Sequence, residues 1–156
     1  MNDIRWPTFI LITAAMSAAL FLAIFLSGGP AATTAAVGID PYRSSFGICL
    51  GPDRYSCVVD GDTIWFEGRK IRIADINTPE ISKPGCASEE RMGQQAKMRL
   101  QVLLNQGPFS LQSIDRDQDK YGRDLRIITR DGKSLGAILV AEGLAERWQG
   151  YRRNWC

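Results

Sequence analysis

The sequence contains no histidine among its 156 residues. This absence excludes the functions that need an imidazole, including Ser-His-Asp hydrolases, HExxH zinc proteases and zinc-dependent deaminases. Acid–base catalysis would have to come from carboxylates, lysine, tyrosine or bound water. The chain also has little net charge, because 19 Lys and Arg residues oppose 17 Asp and Glu residues, which leaves +2. Affinity for a polyanion would therefore depend on a local basic cluster rather than on the field of the whole protein.

No two of the four cysteines are spaced as Cys-x-x-Cys, which argues against a zinc cluster. An even cysteine count in an exported domain is typical of disulfides. Four cysteines allow three pairings, and the sequence does not choose among them. We favour Cys49–Cys57, which closes a short loop, together with Cys86–Cys156, which ties the chain end to the domain.

Charged residues are absent between Trp6 and Ile39, and residues 9–26 are almost entirely apolar. A membrane-spanning helix needs about 20 such residues, whereas the apolar core of a cleavable signal peptide has about 7–15. Length therefore favours a retained signal anchor rather than a cleaved signal peptide. The anchor comprises residues 1–27 and crosses the membrane through residues 8–27. Arg5 precedes the apolar run, so we expect the remainder to face outward. The expected location is the cell membrane with an extracytoplasmic domain, or outside the cell if the segment is cleaved.

Residues 28–48 are rich in small and turn-forming residues and predict a flexible tether. Residues 49–156 alternate between strand-like and helix-like patterns, with an Asp-Gly turn between the first two strands. Ser88 and Ser134 are the expected caps of two helices. The predicted strands are 55–60, 63–67, 70–76, 109–114 and 125–129, and the predicted helices are 88–106 and 135–145. Five strands with a helix after the third indicate a mainly β domain, a five-stranded OB-fold barrel with two helices.

Polar residues are concentrated in three places of this domain. The first is residues 60–63 (DGDT), where a plain hairpin turn competes with a metal site. The second is residues 78–80 (TPE), where proline forces the chain out of the sheet and exposes the rim of the barrel. The third is residues 119–123 (DKYGR), which is either a polar hairpin loop or a phosphate clamp.

Taken together, the three clusters supply what hydrolysis of a phosphodiester requires. Asp62 can bind a cation that polarises the phosphate, and Glu80 can activate or position a water molecule. Arg72 and Arg123 can stabilise the charge that builds up on phosphorus. None of these roles needs a histidine.

The order of these motifs resembles the staphylococcal nuclease (thermonuclease) family. From about Val58 to Tyr151, the chain has VDGDTI, then R-x5-TPE with Arg72 and Glu80, then DKYGR. The resemblance implies a calcium-dependent endonuclease, expected to be a monomer, which cuts DNA or RNA at the 5′ P–O bond. It also implies roles for individual residues: Arg72, Glu80 and Arg123 in catalysis, Lys120 and Tyr121 in substrate binding, and Asp62, Asn77 and Thr78 in calcium binding.

Two features depart from that family pattern. Asn77 stands where the prototype has a second aspartate, so the calcium site loses a charge and its affinity should fall. Asp75 is near in sequence but is not expected to compensate. The sequence ends at Cys156, where the prototype continues into another helix, and we expect a disulfide to replace that closure.

Two other functions are compatible with the same fold. One is an OB-fold module that binds nucleic acid without cutting it, although a binder has no use for a glutamate aimed at a phosphate. The other is an interaction domain tethered to the cell envelope. The enzyme interpretation requires the side chains of Asp62, Arg72, Glu80 and Arg123 to converge.

Overall fold

The computed structural model describes residues 40–156, which lie in one compact unit. The predicted signal anchor and most of the predicted tether lie outside the described residues. Within residues 40–156, no helix is long and apolar enough to span a membrane. The strands are β1 Gly47–Ile48, β2 Cys57–Asp60, β3 Thr63–Phe66, β4 Arg69–Ile73, β5 Ile76–Asn77, β6 Ser110–Gln118, β7 Asp124–Arg130, β8 Lys133–Ser134 and β9 Glu146–Arg147. The helices are α1 Ala87–Asn105 and α2 Leu135–Ala141.

The main sheet has the strand order β1-β2-β3-β4-β7-β6, with β8 paired to β7. Strands β2, β3 and β4 form an antiparallel meander, and β4 then pairs in parallel with β7. The parallel pair is possible because α1 and β6 intervene in the chain. A mainly β domain with two helices and this strand order fits an OB-like fold, as the sequence predicted.

Residues 40–48 belong to the folded domain, although the sequence assigned them to the tether. Strand β1 pairs in parallel with β2, and Tyr42 forms a bridge with Phe109. Phe46 is only 2% exposed and packs against Phe66 and Phe109. The folded domain therefore begins earlier than residue 49.

Helix α1 covers one side of the sheet with one apolar face. Its buried residues are Gly93, Ala96, Leu100, Leu103 and Leu104. The expected cap was wrong, because the helix begins one residue earlier and its N-cap is Cys86 rather than Ser88. The carboxylate of Glu89 turns back to accept a hydrogen bond from the Gly85 N–H at 2.7 Å. The negative charge thus sits at the positive end of the helix.

Helix α2 has the cap that was predicted, since Ser134 Oγ accepts a hydrogen bond from the Ala137 N–H at 3.0 Å. The helix ends at Ala141, and Gly143 follows with a φ of 75°. The predicted helix to residue 145 was therefore too long.

Both favoured disulfides are present. Cys49 is bonded to Cys57 and Cys86 to Cys156. The second disulfide joins positions 70 residues apart and fixes residues 149–156 beside the start of α1.

The third predicted strand differs most from the structure. It divides into β4 and β5, with Ala74 and Asp75 between them. Strand β5 leaves the main sheet and pairs with β9 in a separate two-stranded sheet. This departure carries residues 77–80 away from the sheet and towards the turn between β2 and β3.

Candidate active site

The turn between β2 and β3 brings two carboxylates together. Asp60 ends β2, Asp62 lies one residue before β3, and Gly61 separates them. A Cβ atom on Gly61 would lie 2.7 Å from Ala96 Cβ and 2.8 Å from Thr78 Cγ2. Only glycine allows this turn to approach α1 and Thr78 so closely.

Asp62 is the most highly connected of these side chains. Its Oδ1 accepts a hydrogen bond from Thr63 Oγ1 at 3.0 Å, and its Oδ2 accepts one from the Thr78 N–H at 3.1 Å. Arg72 Nη2 lies 3.1 Å from the same Oδ2, and the two side chains are 10% and 11% exposed. These contacts fix the carboxylate against both the TPE loop and β4.

Asp60 is held in an unfavourable environment for a negative charge. Burial, reinforced by the neighbouring carboxylate of Asp62, raises the pKa of Asp60 to about 7. The main-chain N–H of Asp62 donates a hydrogen bond to Asp60 Oδ1 at 3.2 Å. A cation between the two carboxylates would remove this repulsion.

The Glu80 carboxylate is fixed by its own loop. Its Oε1 accepts hydrogen bonds from the Ile81 N–H, the Ser82 N–H and Ser82 Oγ at 3.0, 3.1 and 2.8 Å. Burial acts to raise the pKa of Glu80, but the hydrogen bonds from Ser82 and Ile81 outweigh it, so the pKa is lowered. The group is therefore ionised at neutral pH.

The TPE loop lies on Gly93 of α1. A Cβ atom at Gly93 would lie 2.8 Å from the carbonyl oxygen of Pro79. Glycine is unfavourable inside a helix by about 1 kcal/mol relative to alanine. Its presence here is explained by the close contact between the loop and the helix.

Asn77 and Asp75 point in different directions. Asn77 is 3% exposed, lines the same cavity as Asp62, and donates a hydrogen bond from Nδ2 to Glu146 Oε1 at 3.1 Å. Asp75 instead accepts a hydrogen bond from Ser134 Oγ at 2.6 Å, next to α2. Asp75 does not line this cavity.

Arg123 is oriented by Asp119 at the other end of the DKYGR loop. Arg123 Nε and Nη2 lie 2.7 and 2.6 Å from Asp119 Oδ2. Asp119 Oδ1 also accepts hydrogen bonds from the N–H groups of Tyr121 and Arg123. Gly122 has a φ of 73°, which is the left-handed conformation that the loop needs.

Two adjoining cavities contain the predicted site residues. The smaller one, about 180 Å³, is lined by Asp60, Asp62, Asn77, Thr78, Pro79, Glu80, Ser82, Arg123 and Arg152. The larger one, about 460 Å³, is lined by Arg72, Ala74, Arg116, Asp119, Lys120, Tyr121, Arg123, Leu125, Trp148 and Arg152. Arg123 and Arg152 line both. The structure thus brings all eight predicted site residues to two neighbouring cavities.

The smaller cavity has the chemistry of a hard-cation site. Its potential ligands are oxygen atoms of carboxylates, an amide, two hydroxyls and the main chain, which suit Ca²⁺ or Mg²⁺. Within residues 40–156, no group of three or more Asp, Glu or Cys side chains is close enough to hold a metal ion by itself. Neutral oxygens, water or a substrate phosphate would have to complete the coordination. The residues therefore fit a hard divalent cation that is bound with few protein charges.

Several residues at the two cavities were not identified from the sequence. Asp60 was part of the first cluster but was not selected, and its position next to Asp62 was the available signal. Asp119 was quoted only as part of a motif, whereas it orients Arg123. Arg116 and Arg152 had no local signal, because their positions depend on long-range packing.

Comparisons with known proteins point to one family. The model of a family described as "Staphylococcal nuclease homologue" matches residues 70–155. Endonuclease YncB of Bacillus subtilis (strain 168) is 38% identical over 101 residues, which cover 62% of this chain and 47% of that protein. The SPbeta prophage-derived endonuclease YokF of the same organism is 39% identical over 101 residues, which cover 62% of this chain and 34% of that protein. The match thus spans less than half the length of either relative.

Proposed function

Since the chain belongs to the staphylococcal nuclease homologue family, we propose that it is a calcium-dependent endonuclease that hydrolyses phosphodiester bonds of DNA, RNA or both. The observation that carries this proposal is the cavity shared by Asp62, Glu80 and Arg123. Arg72 lines the adjoining cavity and forms an ion pair with Asp62. Hydrolysis of a phosphodiester needs this combination of a cation site, a group that activates water and fixed positive charge.

Calcium would be held by the Asp62 carboxylate, with Asn77 and the Thr78 carbonyl as neutral ligands, and would polarise the phosphate. Glu80 would hold the attacking water and accept its proton while the bond from phosphorus to the 5′ oxygen breaks. The leaving oxygen takes a proton from solvent.

The arginines would stabilise the negative charge on the phosphate during this step. The contacts of Arg123 with Asp119 use Nε and Nη2, so Nη1 is available for a phosphate oxygen. Lys120 and Tyr121 line the larger cavity, and the ring of Tyr121 lies 5.1 Å from Lys120 Nζ and is exposed. This ring offers a surface on which a base can stack.

A cleavage assay tests the proposal. The purified chain would be incubated with supercoiled plasmid, single-stranded DNA and RNA, in millimolar calcium or in chelator. We expect internal cuts with calcium and none with chelator, and Glu80→Gln protein prepared in parallel reports any contaminating nuclease. Binding without cutting would instead support the OB-fold binding module, and intact substrates without binding would support the envelope-tethered interaction domain.

We further propose that the domain works outside the cytoplasm, at the membrane or after secretion. All four cysteines are paired, and disulfides persist in oxidising compartments. Alkylation of the protein from its native compartment, before and after reduction, would test this by mass. Four thiols that react before reduction would contradict the proposed location.

A further inference from the structure

A third arginine lies at the candidate active site. Arg152 lines the smaller cavity together with Glu80 and the larger one together with Arg72. Among residues 40–156, Arg123 is the one other residue that lines both cavities. Arg152 follows Glu80 by 72 residues, and none of the three sequence motifs includes it.

The guanidinium of Arg152 is largely uncommitted. Its Nη1 lies 3.3 Å from Glu80 Oε2, and no other hydrogen bond or ion pair of this side chain occurs within residues 40–156. The side chain is 66% exposed. An ion pair this exposed contributes about 1 kcal/mol or less, so it can exchange for another anion at little cost. Four of the five N–H donors of a guanidinium are then free to bind a ligand.

Residues 149–156 are held beside the active site by a covalent bond. The Cys86–Cys156 disulfide attaches this segment to the residue that caps α1. The Arg153 N–H donates a hydrogen bond to Glu146 Oε1 at 3.0 Å, and the Arg153 guanidinium lies 5.0 Å from the ring of Trp155. Arg152 therefore directly precedes one anchored main-chain N–H and lies four residues before the disulfide, and its side chain contacts Glu80.

We propose that Arg152 is a substrate-binding residue that contacts a backbone phosphate of the nucleic acid where the two cavities meet, and that the Cys86–Cys156 disulfide holds it there. The inference rests on the proposed nuclease function. When a phosphate enters, the guanidinium exchanges its contact with Glu80 for phosphate oxygens, which leaves Glu80 Oε2 open to water. Arg152 and Arg123 then contact the phosphate from two sides.

The first test measures binding without cleavage. Binding of a labelled single-stranded oligonucleotide would be followed by fluorescence anisotropy in chelator, over a range of NaCl concentrations. We expect Arg152→Ala to lower the slope of log affinity against log salt by about 0.7, the value for one phosphate contact on a single strand. Arg153→Ala is the matched control, because it removes the same charge from the neighbouring position but lines neither cavity. Arg152→Lys should recover the slope but only part of the affinity, because a lysine cannot bind a phosphate bidentately.

The second test addresses the disulfide. Cys86→Ser/Cys156→Ser protein should show the same loss of slope as Arg152→Ala, and the two changes combined should lose no more than either alone. Removal of a disulfide costs about 2–4 kcal/mol of stability, so binding is compared at temperatures where circular dichroism shows every variant folded. Steady-state cleavage in calcium should show a raised KM with a smaller change in kcat, as expected for a contact that is made in both the bound substrate and the transition state.

The outcomes separate this inference from the proposed function. If wild-type protein cleaves but Arg152→Ala and Arg153→Ala have equal slopes, the inference fails and the nuclease function stands. If wild-type protein binds without cleaving, the nuclease function fails and the slopes still decide the role of Arg152. If it neither binds nor cleaves, both fail. Fully additive losses from the arginine and cysteine changes would refute the role of the disulfide.

Discussion

Arg72 Nη2 lies 3.1 Å from Asp62 Oδ2, and this ion pair is almost completely buried. It links β4 to the turn between β2 and β3. The Arg72 guanidinium also donates a hydrogen bond to the Ile73 carbonyl and lies 5.9 Å from the ring of Trp148. Arg72, proposed to stabilise the phosphate, and Asp62, proposed to bind the cation, therefore fix each other in place.

The first prediction concerns the stability of this pair. Arg72→Met should lower the free energy of unfolding in chelator by about 3–5 kcal/mol, because it leaves the buried charge of Asp62 uncompensated. Arg99→Met is the control, since it breaks the more exposed Arg99–Glu142 pair and should cost far less stability. Urea unfolding measures both. Equal losses would mean that solvent reaches Asp62.

The second prediction concerns Gly61. A methyl group there would overlap Ala96 and Thr78, and overpacking of this kind costs about 1–3 kcal/mol. Gly61→Ala should therefore lower both the free energy of unfolding and the affinity for calcium, because the turn moves away from Thr78. Gly107→Ala is the control, since its nearest neighbour would be Arg130 Nε at 3.6 Å. A Gly61→Ala protein as stable as the control would show that α1 can shift to accommodate the methyl group at little cost in stability.

The third prediction concerns Asp60 and pH. The pKa of Asp60 is raised by burial and by Asp62 to about 7, from an ordinary value of 3.8. The folded state therefore keeps a proton that the unfolded chain loses, and stability falls as the pH rises from about 4 through 7. In chelator, Asp60→Asn should remove this loss. Between pH 4 and pH 8, the free energy of unfolding should therefore fall less for the Asp60→Asn protein than for wild type. Parallel pH profiles for the two proteins would contradict the assignment.

The sequence predicted those parts of the molecule that depend on local patterns. Alternating apolar residues defined the strands, and the DGDT, TPE and DKYGR motifs located residues that the fold brings together. Ser134 also acts as a cap, since its partner Ala137 lies three residues away.

The remaining features depend on contacts between distant residues. Phe46 fell within the predicted flexible tether, but it packs against Phe66 and Phe109 in the core. Ser88 looked like a helix cap, but the N-cap is Cys86, whose disulfide partner Cys156 lies 70 residues away. Neither effect leaves a trace in the local pattern.

The fourth prediction concerns catalysis. Glu80→Gln should reduce kcat by about 100-fold or more, because general acid–base catalysis contributes about 10²–10⁴-fold. The amide is similar in size, so stability and oligonucleotide binding in chelator should change little. Gln118→Ala is a control at a polar residue of β6 that lines neither cavity, and it should retain the kcat of wild type. Full activity of the Glu80→Gln protein would exclude Glu80 as the residue that activates water.

The fifth prediction concerns the neutral ligand Asn77. An aspartate there adds a charge to the calcium site, but Asn77 Nδ2 donates a hydrogen bond to Glu146 Oε1, so an aspartate would face that carboxylate. Asn77→Asp alone should therefore gain little affinity, whereas Asn77→Asp with Glu146→Gln should bind calcium at least about tenfold more tightly, a gain of about 1.4 kcal/mol. Glu146→Gln alone is the control, and calorimetric titration of all four proteins measures the effect. An equal gain from Asn77→Asp alone would show that Glu146 does not set the affinity of the site.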